Sequence, residues 1–124
     1  MSEQLSIFDI DRRPRIEKAF ERDAPVLQGE IDTLLCLPHP TMAWDRAKIE
    51  LHPDADGHWM WATGYQCDGG GSSYRIGGKW GKFAHSREDA LYYAVTELRA
   101  SIKRRAEVGH EGKIILDWLD SLGA

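Results

Sequence analysis

Ala47-Lys48-Ile49-Glu50-Leu51-His52, Pro53-Asp54-Ala55-Asp56-Gly57 and His58-Trp59-Met60-Trp61-Ala62-Thr63-Gly64-Tyr65-Gln66 follow one another without interruption. The first group alternates apolar and polar side chains and predicts a strand over 47–52. The second is a cluster of turn formers. The third predicts a strand over 58–66, with Trp59, Trp61 and Thr63 on one face and Met60, Ala62 and Gly64 on the other. Two strands joined by so short a turn form an antiparallel hairpin, and the rest of the chain must cover it.

Toward the C-terminus, Cys67 to Ser73 contains three consecutive glycines and reads as a flexible loop between strands. A strand near 73–77 follows, interrupted by Gly77-Gly78, and Lys79 to Phe83 reads as a short fourth strand. Ser86 is a good N-cap with Asp89 three residues on, so a helix starts there. Leu91, Ala94, Val95, Leu98 and Ile102 make one apolar face of that helix, which runs to about 106. Val108 to Gly112 is a connector, and a last helix over about 111–122 buries Ile114, Ile115, Trp118, Leu119 and Leu122.

Toward the N-terminus, Leu27, Ile31, Leu34 and Leu35 form a stripe that predicts a helix over 25–36, opened by Pro25 and stopped by Pro38 and Pro40. A shorter helical stretch carries Ile16, Ala19 and Phe20. Residues 1–14 read as a tail and 15–124 as one domain. Helix, hairpin strands, then two helices imply an α+β fold: an antiparallel sheet of three to four strands with helices packed on one face.

A chain of 124 residues supports one core, and five Trp supply bulky anchors for it. No apolar run reaches the length of a membrane span and no leader pattern opens the chain, so no membrane is expected. Two cysteines, Cys36 and Cys67, make no disulfide framework, which fits a reducing cytoplasm. The net charge is −4, of which residues 1–50 carry −3. Duplex-binding domains are usually basic, so the balance disfavours bulk DNA affinity. Arg99, Lys103, Arg104 and Arg105 are the one local basic cluster that could contact phosphates. Cations there also complement the end of a helix.

The tail holds Gln4-Leu5-Ser6-Ile7-Phe8. An extended peptide of this kind can place Leu5, Ile7 and Phe8 in a preformed apolar pocket while Gln4 makes a directed hydrogen bond. The pentapeptide resembles the one by which bacterial polymerases, mismatch-repair proteins and replication regulators bind the DNA sliding clamp. That pattern is Gln, Leu, Ser or Asp, Leu, Phe. Gln4, Leu5, Ser6 and Phe8 match, and Ile7 departs with little change of volume. The resemblance implies Gln4, Leu5 and Phe8 as principal contacts, Ser6 and Ile7 as secondary ones, and the sliding clamp as partner. The alternative is an arm that packs Leu5, Ile7, Phe8 and Ile10 on its own domain.

Residues 49–98 also resemble, faintly, a small module found alone or appended to DNA-modifying and partition-type proteins of phages and plasmids. His52-Pro53, Gly57, Trp59, Gly64-Tyr65, Gly69 to Ser73 and Ser86-Arg87-Glu88-Asp89-Ala90 carry the likeness. It implies a DNA-metabolism setting and no particular activity. Trp59, Trp61, Tyr74 and Trp80 could stack bases if exposed, but they read better as the core under the helix from Ser86.

Nothing in the spacing predicts a catalytic centre, a cofactor or a metal. Gly78-Lys79 fails as a phosphate loop, having Ser73 where a glycine is needed and Trp80 where Ser or Thr is needed. His52, Asp54, Asp56 and His58 read as a polar turn, since neither a calcium loop nor a zinc set can be completed. Cys67 lacks the neighbours that activate a thiol. The expected function is that of a non-enzymatic accessory protein of DNA metabolism that docks on the clamp and meets DNA or a nucleoprotein complex only indirectly. Two other readings remain. One is a phage or plasmid inhibitor of a host defence complex, which calls for a clustered acidic surface of Asp54, Asp56, Glu107 and Glu111. The other is a nucleic-acid-binding module using the sheet aromatics and the basic cluster.

Overall fold

A computed structural model describes residues 31–67, 70–105 and 107–122. Strands β1 (Thr33–Pro38), β2 (Asp45–Pro53), β3 (Trp59–Cys67) and β4 (Gly70–Ser73) pair in that order. A 3-10 turn (Gly78–Trp80) and the two-residue strand β5 (Phe83–Ala84) follow, and β5 pairs antiparallel with the start of β3. Helices α1 (Arg87–Lys103) and α2 (Gly109–Ser121) complete the chain. The architecture is α+β, an antiparallel sheet with both helices against one face.

The hairpin sets the register. Leu51 lies opposite Trp61 and Ile49 opposite Thr63. Leu35 on β1 lies opposite Ile49. Because side chains alternate along each strand, Leu35, Leu37, Ile49, Leu51, Trp59 and Trp61 share the face that α1 covers. Ala90, Ala94, Val95, Leu98 and Ile102 of α1 and Ile115 and Leu119 of α2 fill the space above them. Trp61 stacks on Tyr93 at 5.1 Å between ring centroids. Leu98, Ile102, Ile115 and Leu119 lose all solvent contact. Each such side chain contributes about 1.5–3 kcal/mol by leaving water.

Local chemistry explains the boundaries. Asp54 folds back on itself at the β2–β3 turn, its backbone N–H donating to the His58 carbonyl at 2.7 Å. Gly57 there has φ +86°, a conformation that favours glycine. Ser86 caps α1 by accepting from the Asp89 N–H at 3.1 Å, as its position predicts. At Gly112 a Cβ would meet Val108 Cγ1 at 2.9 Å and Ile102 Cγ2 at 3.2 Å, so the missing side chain lets α2 approach α1.

Several expectations need correction. Residues 33–36, the end of the predicted 25–36 helix, are strand; residues 25–30 lie outside the described residues. Leu34 and Leu35 do not share a stripe but alternate. Leu35 packs in the core while Leu34 is 54% exposed on the opposite face. Pairing along β2 satisfies the β1 backbone and places Leu35 and Leu37 inward, which outweighs helix preference. The glycine stretch is not all loop, since Gly70–Ser73 pairs with Gly64–Cys67. Ser73 ends that strand, and 74–76 run irregularly. The 79–83 strand is instead the 3-10 turn followed by β5. Gly109, not a residue near 111, opens α2.

The second sheet face is covered too. Met60, Ala62, Ile76 and Phe83 form a smaller buried cluster there, with Ile31 and Tyr74 against it. Both faces of the Trp59 strand are therefore buried, one under the helices and one in this cluster.

Leu98→Ala should cost about 2–5 kcal/mol, read as a lowered urea midpoint at unchanged slope. Trp44→Ala, at a side chain 50% exposed, should cost about 0.5 kcal/mol or less in the same assay.

Candidate functional site

β4 and β5 leave a gap on their shared edge of β3 at residues 61–63. The Tyr74 N–H donates to the Thr63 carbonyl in that gap. Beside it stands Glu97 of α1. Its Oε1 accepts from Trp61 Nε1 at 3.1 Å and Lys82 Nζ at 2.6 Å. Its Oε2 accepts from Thr63 Oγ1 at 2.6 Å and the Tyr74 hydroxyl at 2.5 Å. Lys82 also donates to the Tyr74 oxygen at 2.5 Å and lies 4.3 Å from the Tyr74 ring centroid.

A carboxylate has about four lone-pair sites, and here four donors occupy them. Burial raises the Glu97 pKa, but hydrogen bonds from Lys82, Thr63 and Tyr74 and the Lys82 charge outweigh it, so the carboxyl titrates below its ordinary value. Burial and the bond to Glu97 push the Tyr74 hydroxyl far up, keeping it protonated. This arrangement holds elements together. It leaves Glu97 no free lone pair for taking a proton from a substrate.

The open part of the second face, near the start of β2, offers a cleft of about 330 Å³. Trp44 walls it, Gly64 lies in its floor, and Asp45, Lys48, Gln66 and Ser73 supply polar groups. A Cβ at Gly64 would fall 2.7 Å from Ser73 Oγ and 3.1 Å from Lys48 Cε, so glycine keeps that floor open. His39 Nδ1 accepts from the Thr41 and Met42 N–H groups, each at 3.1 Å, and this holds the loop that presents Met42 and Trp44 half-exposed. The cleft thus combines an aromatic wall with a polar edge. Sequence reasoning missed it, because its residues come from three strands and one loop.

The predicted site residues separate. Gln4, Leu5, Ser6, Ile7 and Phe8 lie outside the described residues, as does the 1–14 tail. Arg99 is tied to Asp120 at 3.0 Å and Arg105 reaches the Gly70 carbonyl at 3.5 Å. Lys103 and Arg104 are exposed at the end of α1, with Arg104 donating to Ser101 Oγ at 3.4 Å. The basic cluster thus divides into ties within the fold and two exposed cations. Of the four aromatics named above, Trp61 is buried and Trp59 packs half-buried beside it, whereas Tyr74 borders the smaller cluster on the second face and Trp80 lies half-buried against Tyr74.

Asp54 and Asp56 follow the end of β2, whereas Glu111 pairs with Arg46 near its start at 2.7 Å. A strand of nine residues spans roughly 27 Å, so the four acids considered above form no single cluster. Asp54, Asp56 and His58 have ligand-type atoms within 4.8 Å of one another. Asp54 Oδ1 already accepts from the Asp56 and His58 N–H groups at 2.8 and 3.1 Å, as a polar turn requires. Cys67 is buried at the end of β3. Although Cys36 is exposed overall, partial burial of its sulfur and a hydrogen bond to Asp45 push its thiol up to about 11. It stays protonated at neutral pH and is a weak nucleophile. No helix among the described residues is long and apolar enough to cross a membrane.

Glu97→Ala should cost about 2–3 kcal/mol in urea unfolding, since it leaves Lys82, Tyr74, Thr63 and Trp61 without their shared acceptor and part of the site is open to solvent. Because the folded pKa of Glu97 is depressed, its stabilisation is present above the ordinary glutamate value and is lost as pH falls through the folded one. Wild type should therefore lose more stability than Glu97→Gln between about pH 5 and pH 3. Equal losses would refute the ionised tie. Comparison with known proteins finds no matching family, curated protein or solved structure, so the reading of function rests on the chain's own residues.

Proposed function

We propose that this chain is a non-enzymatic accessory protein of bacterial or mobile-element DNA metabolism that docks on the DNA polymerase sliding clamp through Gln4, Leu5, Ser6, Ile7 and Phe8. The observation that carries the reading is the pentapeptide itself, with four of five positions matching the clamp-binding pattern and apolar anchors at Leu5, Ile7 and Phe8. Three apolar anchors and one amide suit a preformed pocket.

The domain adds indirect support. Among the described residues, the part-buried Glu97 is saturated by structural donors, so its carboxylate serves the fold. The rival readings draw less from the geometry. Of the stacking aromatics they invoke, Trp61 is buried and Trp59 packs beside it, and the acids they invoke lie at opposite ends of β2. Docking would bring the domain, with the cleft beside Trp44, to DNA being copied. A single short peptide binds modestly, so two or more tails on one clamp ring would raise the apparent affinity.

The test is titration of full-length protein against purified sliding clamp by calorimetry. Wild type should bind, and Gln4→Ala/Phe8→Ala should weaken binding at least about tenfold, the equivalent of 1.4 kcal/mol. Equal affinity of the two proteins, or no binding by wild type, would overturn the proposal.

A further inference from the structure

We infer that the outer edge of β1 is a pairing edge for a second copy of this chain, with the two β1 strands antiparallel about a twofold axis. β1 ends the sheet, and among the described residues no strand pairs with its outer edge. The ladder fixes which backbone groups face outward there. The Thr63 carbonyl accepts from the Tyr74 N–H, so the backbone groups of Thr63 point away from β2. This direction alternates along each strand. Ala62 and Gly64 therefore bond to Glu50 and Lys48, while Ile49 and Leu51 turn to Leu35 and Thr33. The N–H and C=O groups of Leu34 and Cys36 are left aimed out of the sheet.

The side chains do not guard this edge. Edge strands are ordinarily protected by charges, proline, a bulge or a covering element. Thr33 to Leu37 holds no charged residue and no proline, and the register shift and Pro38 come only at the end of the strand. Leu34 is 54% exposed and Cys36 is exposed on the second face. The helices lie mainly over β2 and β3, so Leu35 and Leu37 on the other face stay half-buried. An uncharged, apolar edge of this kind is a template for another strand.

The strand itself selects a second copy as the occupant. In a twofold pair a charge on β1 would meet its own copy or a near neighbour, and β1 carries none. One register uses only the regular part of the strand. It centres on Leu35 and sets Leu34 opposite Cys36 of the second copy, which satisfies every N–H and C=O that these residues present. A register centred on Cys36 calls on Pro38, which has no N–H. One centred on Leu34 calls on Asp32, whose N–H already donates to His52 Nδ1 at 3.1 Å. The Leu35 register also packs Leu35 on Leu35 of the second copy, on the helix face. The sheet then runs continuously through both copies.

This inference uses none of residues 4–8, so its failure leaves the clamp reading as it stands. A dimer would carry two copies of the pentapeptide, which is the multivalency that a modest peptide affinity calls for.

Sedimentation of the full-length protein should show a reversible monomer–dimer equilibrium. Cys36→Pro should raise the dimer dissociation constant at least about tenfold. It removes an outward N–H and leaves the β1–β2 ladder whole. Leu34→Lys/Cys36→Lys sets like charges opposite each other and should act in the same way, which keeps the test valid where proline disturbs the fold. Crosslinking reads the register. Across a hydrogen-bonded pair the Cα atoms stand ~5.5 Å apart, within disulfide reach, whereas the two Cys36 residues stand ~9 Å apart, beyond it. Mild oxidation of the unmodified chain mixed with Leu34→Cys/Cys36→Ser should therefore link position 34 of one to position 36 of the other. Neither protein alone should link at a comparable rate. A wild type that stays monomeric at about 0.1 mM would overturn the inference. So would variants that dimerise as wild type does, or a mixture that links no faster than its components.

Discussion

The carboxylate of Glu97 is the interaction on which the arrangement of this domain depends. It draws one donor from each of four places: Trp61 and Thr63 on β3, Tyr74 after β4, and Lys82 before β5. These four bonds meet where the sheet edge is broken. They hold the stretch between β4 and β5 against β3 together with the Tyr74–Thr63 backbone bond and the packing of Ile76 on Met60 and Ala62. The charge matters as well as the geometry. Lys82 sits within 2.6 Å of Glu97, and its side chain is 25% exposed, so the pair is only partly desolvated and avoids the full penalty of a buried ion pair.

Side-chain alternation divides the sheet into two faces that are covered differently. The helix face carries the main core, Arg46–Glu111 ties α2 to β2, and Arg99–Asp120 ties α1 to α2. The second face is closed at one end by Ile76 and Phe83 and open at the other, where Trp44, Lys48, Gly64 and Ser73 form a cleft.

Much of the fold was legible in the chain itself. Alternation over 47–52 and 58–66, the turn formers between them, and the Ser86 cap followed by apolar residues at helical spacing determine the hairpin and α1, because each signal is local and each element satisfies its own backbone. The four donors around Glu97 were not legible as a set. Their only trace was a glutamate at helical spacing from Ala90, Ala94 and Ser101, a position that leaves its partners unnamed. The proposed clamp-binding role of residues 4–8 is the opposite case, a reading made wholly from sequence.

The tertiary structure alone decided three things. Thr33 to Pro38 pairs as a strand because β2 offers a ladder and an inward place for Leu35 and Leu37, and no property of the segment taken by itself outranks its helical spacing. Gly70 to Ser73 becomes ordered strand because Gly64 to Cys67 lies alongside it, although glycine has little strand preference of its own. Arg99 and Arg105, which sequence groups with Lys103 and Arg104, part company because Asp120 and the Gly70 carbonyl come within reach after α2 and β4 have packed. In each case the deciding partner lies far along the chain or in another element. Short-range pattern reports what a segment can do, and long-range pairing selects among those options.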